Sequence, residues 1–214
     1  MFITFEGVEG SGKTVQAKLL ADSLAARGLA ILLTREPGGT DIGDQIRAVL
    51  HDTRNTAMLA TTEILLYSAA RAQIVGQSIR PALAGGQIVI SDRYADSTLA
   101  YQGYGRGLDL DALRFITAFA TGGLTPDITF FLDVDVEEGL RRKQKAYHAQ
   151  GDELNRMDQQ SLDFYRRVRA GYLTMVACEP RRWVVLNGQR DVQAVHADVR
   201  AVVDQRMREG RRAS

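Results

Sequence analysis

The sequence predicts an α/β fold, a five-stranded parallel sheet flanked by helices, on three observations. Short apolar runs alternate with longer amphipathic stretches, which requires right-handed crossovers and a parallel sheet covered on both faces. Glycines stand where helices must stop. A glycine-rich turn follows the first apolar run and opens the first amphipathic stretch. In order, the strands are placed at Phe2–Phe5, Ala30–Leu33, Gln87–Ile90, Thr129–Leu132 and Trp183–Leu186. The clearest helices are Lys13–Arg27 and Leu110–Thr121. Gly28 closes the first helix where a left-handed cap is wanted, and Gly85–Gly86 does the same before the third strand. Pro81 kinks or restarts a helix after Arg80. Arg141–Arg156 holds five basic and two acidic residues around a polar centre and reads as a mobile loop joining two helices. The Arg-rich stretch Arg206–Ser214 reads as a solvated, frayed tail.

At 214 residues the chain suits a single domain spanning 1–214. A net charge of +1 argues against a dedicated duplex-nucleic-acid binder. Of 27 basic residues only Lys13, Lys18, Lys143 and Lys145 are lysines; the arginine excess suits bidentate phosphate contacts and equally fits compositional bias. One cysteine, Cys178, provides neither a disulfide framework nor a cysteine-based zinc site and fits a reducing compartment. The N-terminus lacks the charge pattern of a signal peptide, and no apolar run approaches about 18 residues. The expectation is a cytoplasmic protein without a membrane partner. His51, His148 and His196 form no ligand set and are expected at the surface.

The segment Gly7-Val8-Glu9-Gly10-Ser11-Gly12-Lys13-Thr14 fits G-x-x-x-x-G-K-[ST] at every fixed position, with a strand before it and a helix after it. Glycines let backbone N–H groups converge on an anion, and the helix N-terminus adds its positive end. Lys13 is suited to the β- and γ-phosphates of ATP, and the Thr14 hydroxyl to Mg²⁺. The apolar run Ile88-Val89-Ile90-Ser91-Asp92 ends in a carboxylate, the Walker-B arrangement, which places Asp92 as a second Mg²⁺ ligand. Arg93 sets a guanidinium in the same crevice, suited to an acceptor phosphate. The N-K-x-D segment of a guanine-nucleotide switch does not occur, and a motor or transporter normally needs a larger chain. A small kinase remains, working by positioning and charge neutralisation of the transferring phosphoryl group.

Six separated segments carry a closer likeness. They are Phe5–Thr14, Thr34–Thr40, Ser91–Tyr94, Ser97–Gly103, Pro126–Asp133 and Ser161–Tyr165. Through them the chain resembles the bacterial thymidylate kinases over nearly its whole length. The resemblance implies a homodimeric P-loop fold that moves the γ-phosphate of ATP to dTMP with Mg²⁺. It implies that Glu9 meets the acceptor's 3′-hydroxyl or its phosphate–metal surroundings and that Arg93 grips the acceptor phosphate. It implies that Tyr67 stacks on thymine, that Arg71, Thr98 and Gln102 address the base, and that Tyr101 crowds the sugar 2′ position. Ser97 and Glu36 fall within the same matched segments and join the expected acceptor site. The residues alone leave alternatives open. Tyr67 also suits a core aromatic, Arg71 a cation–aromatic surface pair, Thr98 a plain helix position, Gln102 a turn, and Arg35 with Glu36 a simple pair.

The chain departs from the family pattern in the lid, placed at about 141–157. The usual Asp-Arg-x-Glu run is here Asn155-Arg156-Met157-Asp158, and the preceding Ala146–Gly151 is longer than usual. Gly10 and Val8 bring no positive charge to the phosphate loop, so the lid must supply it. Arg141, Arg142, Lys143, Lys145 and Arg156 are the candidates, with Arg156 first and Arg142 second. Arg156→Ala is expected to slow turnover while sparing acceptor binding. Adenine is expected near Asn187-Gly188-Gln189. Another nucleoside-monophosphate kinase, or a nucleotide-binding regulator without transfer activity, are the competing readings.

Overall fold

The computed structural model describes residues 1–150 and 156–213. Strand β1 (Phe2–Glu6) leads through the phosphate loop into α1 (Lys13–Ala25), followed by β2 (Ile31–Arg35), α2 (Asp41–His51) and α3 (Ala60–Ile74). A π-helical turn over Val75–Ile79 and the short α4 (Arg80–Ala84) lead to β3 (Ile88–Asp92). Then come α5 (Ala95–Thr98), a second π-helical stretch over Leu99–Gly105, α6 (Leu110–Thr121) and β4 (Ile128–Asp133). Helix α7 (Val136–Gln150), a 3₁₀ turn over Arg156–Gln159, α8 (Leu162–Cys178), β5 (Trp183–Asn187) and α9 (Val192–Ala213) complete the chain. The five strands form one parallel sheet in the order β2-β3-β1-β4-β5.

All five expected strands form, and each runs one or two residues past its expected carboxyl end. The apolar pattern stops where side chains enter the cleft, but the backbone ladder continues. Asp92 still pairs with Phe5 and Arg35, and Asp133 with Asn187. Alternation along the strands sorts the core onto two faces. Ile3, Phe5, Phe130 and Leu132 pack on Leu20 and Leu24 of α1 and Val195 and Val199 of α9. On the other face Phe2 and Val89 meet Ile74 and Ile79, while Phe131 joins Tyr101, Tyr165, Tyr172 and Trp183. Each such side chain contributes roughly 1.5–3 kcal/mol by leaving water.

Two expectations are corrected. Arg141–Gln150 is helical, the second half of α7, not a loop. Arg, Lys, Gln and Ala are good helix formers, and Glu138 pairs with Arg142 one turn on at 2.7 Å. Residues 151–155, with Asn155 among them, lie outside the described residues. Arg206–Ala213 likewise continues α9, and Ser214 lies outside the described residues. Gly28 and Gly86 do take left-handed φ values of 78° and 77°, and Pro81 sits in the first turn of α4. Among the described residues no helix is long and apolar enough to cross a membrane.

Candidate active site

A cleft of about 490 Å³ opens at the carboxyl ends of β1 and β3, where open α/β sheets bind ligands. Its floor is the phosphate loop. Helix α1 begins after Gly12, which has φ 96°, and has no side-chain cap and no acid in its first turn. Its orphan N–H groups are therefore left for an anion. Lys13 is 6% exposed and folds back so that Nζ donates to Val8 O at 2.8 Å and Ser11 Oγ at 3.3 Å. Gly7, Val8 and Ser11 build the loop from behind, while Glu9, Gly10, Gly12, Lys13 and Thr14 line the cleft. The Thr14 hydroxyl donates to Asp92 Oδ2, so the two expected metal ligands already touch.

Gly10 has a physical reason beyond its φ of 70°. A Cβ there would come within 1.9 Å of Gly139 O on α7, and one on Gly139 within 2.5 Å of Glu9 O. No side chain fits between loop and lid helix.

Arg93 holds the next group together. It is a non-glycine residue at φ 70°, strain of a kind that collects at functional sites. Its Nη2 donates to Glu9 Oε1 at 2.7 Å and Tyr101 Oη at 3.0 Å, and its Nη1 to Gly7 O at 3.2 Å and Ser97 Oγ at 3.3 Å. Burial pushes the Glu9 carboxyl up, but Arg93, Lys13 and Lys143 outweigh it and bring it down to about 2. Behind this cluster the fully buried Glu6 accepts from Tyr94 N at 2.8 Å, Ser97 Oγ at 2.6 Å and Tyr172 Oη at 2.7 Å. Burial and the nearby Asp96 raise Glu6 to about 7 against the opposing pull of Arg93. Glu6 thereby pins the turn that aims Arg93, a role the sequence reading did not assign.

The far wall is assembled from α3, the strand–helix turn after β2 and the π-helical stretch after β3. Arg71 is 2% exposed and not a surface cation. Its Nε donates to Glu36 Oε2 at 2.7 Å, Nη1 to Thr98 Oγ1 at 2.8 Å and Nη2 to Tyr94 O at 3.1 Å. Glu36 precedes a cis peptide bond to Pro37. Its buried Oε1 has no partner among the described residues, so it can accept from a ligand. Tyr67 and Gln102 line the same wall. All nine residues expected to take the acceptor therefore face one cleft: Glu9, Glu36, Tyr67, Arg71, Arg93, Ser97, Thr98, Tyr101 and Gln102.

The lid candidates separate. Arg142 lines the cleft together with Lys143, and its Nη1 donates to Gly188 O at 2.8 Å, tying α7 to the loop after β5. Arg156 lies outside the cleft lining. It is 7% exposed, ion-paired to Glu63 and bonded through Nε to Leu50 O at 3.2 Å. The histidines need correction too. His196 is 8% exposed and buried, and His51, at the end of α2, lines the cleft beside Arg47. Burial pushes His51 down to about 4, with Arg47 acting the same way, so it is neutral at pH 7. Arg47 and His51 carry no motif that announces them, whereas Lys143 is among the lid candidates and Met157 belongs to the Asn155–Asp158 run. Helical spacing from Arg47 to His51 is the one signal that pairs those two.

The cleft thus joins the phosphate loop to the wall of Glu36, Tyr67, Arg71, Thr98 and Gln102 through Arg93. Comparison with known proteins gives the same architecture a family. The thymidylate kinase family model matches residues 5–199. The chain is 53% identical over 211 residues to the thymidylate kinase of Roseiflexus sp. (strain RS-1), covering 95% of this chain and 93% of that one. It is 49% identical over 210 residues to that of Geotalea uraniireducens (strain Rf4), covering 98% and 99%. The crystal structure of thymidylate kinase from Ehrlichia chaffeensis superposes with a TM-score of 0.76 at 34% identity, covering 95% of this chain and 98% of that one. With a match over nearly the full length in sequence and in fold, the chain belongs to the thymidylate kinase family.

Proposed function

We propose that this protein transfers the γ-phosphoryl group of ATP to dTMP, giving ADP and dTDP, a step towards dTTP. The observation that carries the reading is Arg93, which reaches from the phosphate loop at Gly7 O to the acceptor wall at Ser97 and Tyr101. An acceptor phosphate held there lies in line with a γ-phosphate held at Lys13 and the α1 N-terminus. An oxygen of the acceptor phosphate attacks the γ-phosphorus, the bond to the β-bridging oxygen breaks, and ADP leaves. Lys13, Arg93 and the lid arginines stabilise the charge on the equatorial oxygens. Glu9 holds Arg93 and faces the acceptor sugar.

Thr14 and Asp92 would hold Mg²⁺, completed by phosphate oxygens and water, as this ion commonly binds. Their contact fits that role, and among the described residues no cluster of three or more His, Cys, Asp or Glu offers an alternative. When bound, the ion neutralises phosphate charge. Tyr67 stacks on thymine, Arg71, Thr98 and Gln102 read its edge, and Glu36 and Ser97 complete the acceptor wall.

The chain acts as one kinase domain with its lid at about 141–157, located in the cytoplasm and without nucleic-acid or membrane partners. Arg142 and Lys143 supply lid charge in the present arrangement, and Arg156 joins them on release from Glu63. Arg156→Ala is expected to lower kcat with dTMP KM little changed. An unchanged kcat assigns the lid charge to Arg142 and Lys143 alone. The protein works as a homodimer through the α3–α6 side, where Phe115 and Phe119 are 75% and 85% exposed and α3 exposes Leu65 at 55%. Phe119→Asp is expected to sediment as a monomer. Wild-type protein that is monomeric at micromolar concentration would sink the dimer. For the reaction itself, ADP release is measured with dTMP, dUMP, dCMP, dGMP and UMP as acceptors. Fastest turnover with dTMP is expected; preference for another base, or no acceptor-dependent release, rejects the proposal.

A further inference from the structure

Glu63 belongs to no recognised motif, yet it is the most heavily bonded carboxylate beside the acceptor wall. It is 1% exposed and lies on α3 one turn before Tyr67 and two before Arg71. Oε1 accepts from Gln102 Nε2 and from Arg106 Nε, both at 2.8 Å, and Oε2 accepts from Arg106 Nη2 at 2.9 Å and from Arg156. Burial pushes the carboxyl up, but the bonds from Arg106, Arg156 and Gln102 outweigh it and hold the group ionised. An ionised carboxylate only accepts hydrogen bonds. The amide of Gln102 therefore has one permitted orientation, NH₂ towards Glu63, and its carbonyl oxygen is the end left for the cleft that Gln102 lines. The neighbouring Arg71 is constrained in the opposite sense. A guanidinium only donates, and three partners fix its plane.

We infer that Glu63 is a positioning residue for base selectivity: by fixing the Gln102 amide, it makes the acceptor wall offer an acceptor from Gln102 beside donors from Arg71. That pattern takes a ring with an N–H next to a carbonyl, as in thymine or uracil. It rejects cytosine, which presents a bare ring nitrogen next to an amino group, so that buried polar groups on both sides are left unpaired. The inference rests on the proposal that the acceptor base occupies this wall. Arg106 acts through Glu63, its two bonds keeping the carboxylate charged and in place.

The test is kcat/KM for dTMP, dUMP and dCMP in wild type and Glu63→Gln, with thermal unfolding recorded for each. A glutamine at 63 can either accept from or donate to Gln102, which frees the Gln102 amide to turn. The dTMP-to-dCMP ratio is expected to fall at least about tenfold, because pairing of site polar groups sets such ratios. The dTMP-to-dUMP ratio stays unchanged, since both bases show the same edge. A dTMP-to-dCMP ratio that does not move, or two ratios that fall together, overturns the inference and leaves Glu63 a structural ion pair. If Glu63→Gln fails to fold, Gln102→Met, which keeps the bulk but removes the amide that Glu63 orients, is expected to lower the dTMP-to-dCMP ratio; an unmoved ratio there is equally fatal. Wild-type enzyme with no preference for dTMP over dCMP would overturn the base reading and this inference with it. A wild-type preference that survives Glu63→Gln overturns this inference alone.

Discussion

Lys13→Ala is expected to lower kcat by about 10³-fold, the scale of removing one preorganised charge donor from a transition state, with the fold intact. The ammonium is held in the loop by Val8 O and Ser11 Oγ. Burial pushes it down to about 8, with Arg93 adding to the effect and Glu9, Asp92 and Glu6 opposing it. A cation kept in such surroundings gains most when a phosphate arrives, and gains further as charge develops on the transferring group. Alanine removes a buried charge whose desolvation costs stability, so Tm is expected to hold or rise. ADP release at saturating ATP and dTMP, with thermal unfolding alongside, checks both parts. A kcat within tenfold of wild type would remove Lys13 from the chemistry.

Arg93→Ala is expected to lower kcat/KM for dTMP by about 10³-fold, within the range that arginines contribute to phosphoryl transfer. The change removes the guanidinium proposed to grip the acceptor phosphate and leaves Glu9 without its 2.7 Å partner. Alanine keeps the backbone strain that Arg93 already carries at φ 70°, on the order of 1 kcal/mol for a side chain other than glycine. Arg93→Gly separates the two effects, because glycine tolerates that backbone. The glycine variant is expected to be as inactive as the alanine variant and more stable, and Arg93→Lys to recover only part of the loss, since an ammonium cannot make the bidentate contact. Near-wild-type dTMP kinetics in Arg93→Gly would show that another cation holds the acceptor.

The phosphate loop was legible because its chemistry is local. Eight consecutive residues between a strand and a helix create a backbone cradle, and nothing distant is needed to complete it. Asp92 and Arg93 were legible for a related reason: strand ends in a parallel sheet meet at one edge, so a carboxylate after an apolar run has a foreseeable place. The acceptor wall required resemblance. Tyr67 and Arg71 share a helix face, but whether that face is core or cleft depends on what packs opposite. Arg71 became a buried donor only because Glu36, Thr98 and Tyr94 O converge on it from other elements. Glu63 stands four residues before Tyr67, and that spacing was a usable signal.

The lid shows the opposite failure. Charge density suggested a loop over Arg141–Arg156, whereas helix propensity and the Glu138–Arg142 pair make most of it the end of α7. Register in the Asn155–Asp158 run favours Arg156 over Arg142. In the structure Arg142 reaches the cleft while Arg156 is held on Glu63.

The sequence by itself determined the sheet, the loop at Gly7–Thr14 and the meeting of Thr14 with Asp92 at the strand ends, because strand periodicity and a contiguous loop are short-range properties. The tertiary structure alone decided that Gly10 must stay bare against Gly139, that Glu6 aims Arg93, and that Glu63 gathers Gln102, Arg106 and Arg156. Each of these is a contact between residues far apart in the chain. The physical reason is the same throughout: packing two distant backbones together, or committing a buried carboxylate to its donors, depends on which elements the fold lays side by side.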